Sequence, residues 1–449
     1  MNFLRRIFPS SQPESLPFEP PESFWQGVPA CSGCSFEVPL SSLADEPIRI
    51  TLRGLEAGQS VVLRLLRANG PGQAYEAFAA FHADEHGCVD LTAATPVYGT
   101  YEGIDGMGLF WSMYEVQIPA PLPMSPLAHT FRLSAEIQHN VVAEVQIKRC
   151  FASESVKYSS LNEQGLRGTL FTPGDGVPHP TLVCFGGGEG GLYEDMAALF
   201  ASHGYTALAL AFFGIEPLPR EWVEIPLEYF ARAIDWVRAR PEADGRRVGV
   251  IGGSAGGSLS LLLGATFTER VGAVAAIKPT HAVLCGIYAN PMAYYWRGIK
   301  STWKYQGKPL PFSPLIPGPE LLNVITGGDL SYRKFWDRCL SRAPQAARVP
   351  VERIDAPVLL IAGEDDQSVP SADSCRVMMK RLQTHHHPFE DEMFLYPGAG
   401  HTIWLPYLPA GPKSGRWVNG GEYHANARAS IDAWKHVLAF FDKVMNCEF

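Results

Sequence analysis

The spacing of apolar residues changes partway along this chain. Between about Cys34 and Ile147 apolar and polar positions alternate in short runs. Examples are Ile48-Arg49-Ile50-Thr51-Leu52, Ser60-Val61-Val62-Leu63-Arg64-Leu65, Phe131-Arg132-Leu133-Ser134-Ala135 and Val142-Ala143-Glu144-Val145-Gln146-Ile147. A period of two broken by Gly, Asp and Pro turns predicts half-buried strands and a β-sandwich. After about Gly165 the apolar runs become continuous: 181–185, 207–212, 248–251, 271–277, 357–362 and 393–396. Helical periodicity separates several of them. It is clearest over Leu227 to Arg238, where Tyr229, Phe230, Ile234, Trp236 and Val237 take the buried side, and it returns over Asp373 to Gln383 and from about Asn426 to Val444. Continuous apolar strands alternating with helices predict a mostly parallel sheet covered on both faces. The expectation is an α/β chain with a β-sandwich over 30–160 and a catalytic α/β domain over 165–449.

Composition narrows the class of function. The chain has 449 residues, 46% hydrophobic and 18% charged, which is globular. Its 37 Lys+Arg against 46 Asp+Glu give a net charge of −9, which argues against nucleic acid as a partner. An anionic ligand would need a local basic patch. Arg297, Lys300, Lys304 and Lys308, interleaved with Tyr294, Tyr295, Trp296 and Trp303, are the candidate. No apolar run reaches the roughly 20 residues that cross a bilayer, so no stable membrane insertion is expected. Met1 to Phe8 is basic and apolar but stops at Pro9, too soon for a secretory signal, which leaves an organellar leader open. Cys447-Glu448-Phe449 is not a peroxisomal tripeptide. The 9 cysteines are odd in number and mostly scattered, which suits a reducing, cytoplasmic setting. Cys31-Ser32-Gly33-Cys34 has no second pair to complete a zinc site, and neither metal nor cofactor is expected. His82, His86, His129 and His139 lie apart and read as surface residues, and His385-His386-His387 reads as a solvated tract.

The candidate chemistry lies in the second half. Gly252-Gly253-Ser254-Ala255-Gly256 follows an apolar run and precedes a helix, the sequence form of a nucleophile elbow. A glycine-rich turn with an incidental serine has the same local pattern. A serine hydroxyl also needs a positioned base. Asp365 and Asp366 follow the 357–362 strand and His401 follows the 393–396 strand, in the chain order Ser, Asp, His. Periodicity does not separate Asp365 from Asp366, and either could instead cap the next helix. Backbone donors for an oxyanion are expected from Ala255 and from Gly187 and Gly188 in the run Gly186-Gly187-Gly188-Glu189-Gly190-Gly191.

Beyond these residues the chain resembles the type I acyl-CoA thioesterases and their sister enzymes, the bile acid-CoA:amino acid N-acyltransferases. The resemblance spans about Pro47 to Lys443. It rests on Arg53-Gly54-Leu55-Glu56-Ala57-Gly58-Gln59, Gly106-Met107-Gly108-Leu109-Phe110-Trp111, Leu227-Glu228-Tyr229-Phe230, Tyr396-Pro397-Gly398-Ala399-Gly400-His401, Gly420-Gly421-Glu422 and Asp432-Ala433-Trp434-Lys435. It implies an N-terminal β-sandwich joined to an α/β-hydrolase domain, with a triad of Ser254, Asp366 and His401 and an acyl-CoA substrate. It also implies hydrolysis, because the conjugating members carry cysteine as nucleophile. An oxyester acyl-enzyme is cleaved readily by activated water, whereas a thioester one reacts more readily with amines. The rival readings are acyl transfer to an amino acid, carboxylester or dienelactone-type hydrolysis, and silent lipid binding. The chain departs from the family pattern at Glu189, which lies in a glycine loop one residue longer than expected. It departs again at Trp404, which replaces an acidic residue, and it diverges over about Thr280 to Ala346.

Overall fold

The computed structural model describes residues 20–25, 33–70, 72–117, 125–290 and 292–446. They fall into two compact units. One runs to Ser153 and takes in Leu405–Gly411, and the other comprises Glu154–Trp404 and the chain from Pro412.

The first unit is built of two sheets. Ser60–Gly70, Gln73–His82, Ala128–Ile137 and Asn140–Cys150 form the centre of a seven-stranded sheet. Ser35–Glu37, Thr51–Arg53 and Val89–Asp90 make a second sheet of three strands. Asn140–Cys150 keeps the alternation read in the sequence, with Ile147 and Arg149 buried on either side of exposed Lys148. Ser60–Gly70 does not, because it pairs on both edges and is buried along nearly its whole length. His129 corrects the surface reading. Its Nδ1 is buried, and burial together with the nearby Arg67 cation holds its pKa far below the ordinary value. Cys34 is disulfide-bonded rather than a free thiol, while Cys31 of the same motif lies outside the described residues, as does the N-terminal basic stretch.

The second unit carries an eight-stranded sheet. Its order is Lys157–Leu161, Gly168–Thr172, Thr206–Leu210, Thr181–Phe185, Val248–Gly253, Val271–Ile277, Val358–Gly363 and Glu392–Tyr396. The Gly168–Thr172 strand is antiparallel to both its neighbours and every later pair is parallel. The exchange of 181–185 and 206–210 relative to chain order places Val248–Gly253 at the centre. This is the α/β-hydrolase arrangement. Val183, Phe185, Val250, Val274, Leu360 and Ala362 bury their side chains in one core with Phe230 and Ile234 of the helix Leu227–Arg238, as the apolar runs require. The helices Ser371–Thr384 and Tyr423–Met445 extend a few residues beyond the periodic stretches that predict them. Ser371 can open its helix because Pro370, whose φ is fixed, precedes it. Because the strands are parallel, residues following 253, 363 and 396 emerge at one edge, where such sheets hold their reactive groups. Among the described residues no helix is long and apolar enough to cross a membrane, and no group of three or more His, Cys, Asp or Glu could hold a metal ion.

Candidate active site

Ser254 sits at the turn between the central strand and the helix Ala255–Thr266, with φ 56° and ψ −115°. A side chain rarely adopts this left-handed conformation, and here the surroundings impose it. The helix start lies so close to the end of the neighbouring strand Thr181–Phe185 that a Cβ on Gly256 would lie 2.5 Å from the Gly186 carbonyl oxygen and 2.8 Å from that of Phe185. Ser254 N–H donates to the Ile277 carbonyl at 2.8 Å, which pins the turn to the neighbouring strand. As the first helical residue, Ala255 has no carbonyl one turn behind it to accept its N–H. Among the described residues the amides of Gly187 and Gly188 donate to no protein acceptor either. The glycine loop lies beside the elbow, since a Cβ on Gly187 would sit 3.9 Å from the Gly253 carbonyl oxygen.

Of the two neighbouring aspartates, Asp366 is the one that meets His401. Its Oδ2 accepts from His401 Nδ1 at 2.7 Å and from the Ser371 hydroxyl at 2.5 Å, while Oδ1 accepts the amides of Ser368 and Val369. Burial alone would push this fully enclosed carboxyl up. The imidazole, the hydroxyl and the amide outweigh burial and hold its pKa below the usual value, so it is an anion. Asp365 turns the other way, accepting from the Gly421 amide and the Gln367 side chain. With Nδ1–H given to Asp366, the tautomer of His401 leaves Nε2 as an acceptor. The Asn419 carbonyl accepts the amides of both His401 and Gln367, and Asn426 accepts that of Gly400 at 2.7 Å. The acid and base loops are thus held to each other from behind.

The base loop also reaches the elbow. The Trp404 ring packs beside Gly253, where a Cβ would meet its Cζ3 at 2.5 Å. Lys278 joins the two. It follows the strand Val271–Ile277 in a left-handed conformation, φ 47°, and its Nζ donates to the His401 carbonyl at 2.6 Å. The same Nζ lies 5.5 Å from the centre of the Trp404 ring. Desolvation lowers its pKa to about 8, against the opposing pull of the Asp366 and Glu189 carboxylates. Glu189 accepts from the Tyr193 hydroxyl, and Trp404 Nε1 donates to Asp195. The two departures noted in the sequence, Glu189 and Trp404, therefore belong to one cluster with Lys278.

Sequence reasoning missed Lys278, Ser371, Asn419 and Asn426. Only Asn426 gave a signal, as a polar residue on the apolar stripe of the last helix with Ser430, Ala433, Trp434 and Val437. The basic tract is divided. Arg297 pairs with Glu221 at 2.6 Å, Lys300 with Glu224 at 2.8 Å, and Trp303 lies in the core. His387 is not solvated. Its buried ring bonds Asp391 and the Ile354 carbonyl.

Known proteins match this architecture along its length. The family model "BAAT / Acyl-CoA thioester hydrolase C terminal" matches residues 225–447, and "Acyl-CoA thioester hydrolase/BAAT N-terminal region" matches 45–163. Acyl-coenzyme A thioesterase 6 of Homo sapiens is 30% identical over 415 residues, covering 90% of this chain and 94% of that protein. Acyl-coenzyme A thioesterase 1 of Homo sapiens is 31% identical over 420 residues, covering 89% and 93%. The peroxisomal succinyl-coenzyme A thioesterase of Mus musculus is 30% identical over 418 residues, covering 89% and 93%.

Proposed function

The chain belongs to the acyl-CoA thioester hydrolase/BAAT family, and from that premise we propose that it is a serine acyl-CoA thioesterase releasing fatty acid and CoA. The observation that carries the reading is the hydrogen bond from His401 Nδ1 to the buried anion Asp366. It supports the reading because it leaves Nε2 as an acceptor at the sheet edge that also carries the strained Ser254.

In this mechanism Nε2 takes the proton as Ser254 Oγ attacks the thioester carbonyl. The amides of Ala255 and of Gly187 or Gly188 hold the oxyanion. The intermediate collapses with protonation of the CoA thiolate by the imidazolium. Water, activated by the same Nε2, then cleaves the Ser254 ester to carboxylic acid and free serine. Asp366 remains ionised throughout and stabilises the imidazolium.

The test is thiol release from a panel of acyl-CoAs of graded chain length, with and without glycine or taurine. Release that needs no amine, and that is abolished in a folded Ser254→Ala variant, is the expected result. Amide formation in place of free acid would identify an acyltransferase. Turnover of simple esters without thiol release from any acyl-CoA would overturn the thioesterase assignment.

A further inference from the structure

Lys278 is a cation at a place where a surface lysine would not be. It is 8% exposed, and its side chain starts beside the elbow and ends on the base loop. Its Cε would lie 3.4 Å from a Cβ on Gly253, the residue before the nucleophile, and its Nζ grips the carbonyl of His401 itself. The groups facing it are the Asp366 carboxylate from the loop after Val358–Gly363, the Glu189 carboxylate from the glycine loop, and the His401 main chain and Trp404 ring from the base loop. Tyr193 and Asp195 lie behind these, bonded to Glu189 and Trp404 respectively.

A buried ammonium is costly unless nearby anions and acceptors satisfy it. The carboxylate of Glu189 is itself out of place, since its Oε2 would lie 2.6 Å from a Cβ on Gly187, in the loop that supplies oxyanion donors. An uncompensated anion there opposes the negative charge that develops on the substrate oxygen. We propose that Lys278 is a positioning residue for the hydrolytic site, holding His401 by its main-chain carbonyl against the Ser254 elbow and offsetting the Glu189 and Asp366 charges around it. The inference rests on the triad reading above. It adds that the base loop is held in register by a charge from the strand next to the nucleophile.

The ammonium is complete below about pH 8 and is lost as pH rises through that value. Lost charge weakens both the grip on His401 and the compensation of Glu189, so the rate should decline on the alkaline side. The experiment measures kcat and KM from about pH 6 to about pH 10 for the full-length wild type and for Lys278→Met, Lys278→Arg and Lys278→Gln. One acyl-CoA and one p-nitrophenyl ester serve as substrates. Thermal melts and stoichiometric labelling of Ser254 by a fluorophosphonate check that each variant is folded. In wild type kcat is expected to fall with an inflection near pH 8. Lys278→Met is expected to lower kcat by about tenfold or more with KM within about twofold, and to lack that inflection. Lys278→Arg should regain part of the lost kcat and carry no inflection there, since guanidinium does not titrate in this range.

If Lys278→Met proves unstable, Lys278→Gln, a shorter neutral donor, takes its place and should likewise lack the inflection. A Lys278→Met or Lys278→Gln profile that keeps the wild-type inflection overturns the proposal, as does a wild-type kcat in Lys278→Met. Failure of the wild type to label at Ser254 would instead overturn the triad reading. The two failures are distinct.

Discussion

Asp365 and Asp366 are neighbours with the same side chain, and their surroundings give them different work. Asp366 lies buried against His401 and Ser371, whereas Asp365 braces the Gly421 amide at an exposed turn. Asp366→Asn should therefore lower kcat by roughly a thousandfold or more, because an amide at that position no longer favours the Nδ1–H tautomer. Asp365→Asn keeps an acceptor for Gly421 and should stay within about threefold of wild type. Steady-state thioester hydrolysis by the two variants separates them, and equal losses would mean the acid is misassigned. Lys278 provides a second contrast at this scale, between stability and activity. Its pKa is lowered from 10.5 to about 8, so the folded chain holds the ammonium less well than the unfolded chain does. Between those values the unfolded state binds more protons, and stability rises with pH by up to about 3 kcal/mol. Melting of wild type should therefore improve relative to Lys278→Met between about pH 8 and about pH 10, over the same range in which kcat declines. A pH-independent difference in Tm would show that Lys278 titrates alike in the folded and unfolded chains.

The elements of the catalytic unit were legible wherever burial is two-sided. The runs at 181–185 and 271–277 are apolar because their strands have neighbours and helices around them, and Leu227–Arg238 keeps one apolar face because it covers that sheet. The front unit was less faithful to its pattern. Alternation marks a strand with one wet face, and Ser60–Gly70 has almost none. The loops were least legible, because close approach between distant segments leaves no period. Nothing in a lysine following an apolar strand distinguishes a buried strut from an ordinary solvated end, so Lys278 could be found only in three dimensions. Leu405–Gly411, which belongs with the first unit, likewise carries no local mark. Asn426 is the intermediate case, since helical spacing places it on the buried stripe but does not name its partners. It accepts from the Gly400 amide and donates to the Gly420 carbonyl. Asn426→Ala leaves that amide buried and unpaired and should cost about 1–3 kcal/mol. Because the freed loop carries His401, kcat should fall as well. Denaturant unfolding and kinetics on the one variant check both, and a stability loss with unchanged kcat would show that the base loop is held by other contacts.

At the scale of the whole molecule, the net charge of −9 poses a problem for a CoA ester, whose phosphates are anionic. An acidic surface slows the approach of such a ligand unless a local region reverses the field. The basic tract was the candidate for that region, and two of its four cations are already committed. Arg297 and Lys300 face Glu221 and Glu224, so a phosphate reaching them must displace a carboxylate. Among the described residues Lys304 and Lys308 enter no ion pair, and they lie on the paired short strands Trp303–Tyr305 and Lys308–Pro309. Their charges remain available to an anion. Joint substitution of Lys304 and Lys308 by alanine should raise KM for acyl-CoA by about threefold to tenfold, the range of one or two charge-assisted contacts in water. The same variant should leave KM for a p-nitrophenyl ester unchanged, because that substrate carries no phosphate. The effect on acyl-CoA should shrink as salt is added, since screening removes the contribution of exposed charge. Joint substitution of Arg297 and Lys300 serves as the comparison and should change KM less. If the paired cations prove the more important, the phosphates are read by residues that first have to leave their carboxylates. If neither pair matters, the CoA moiety binds away from this tract.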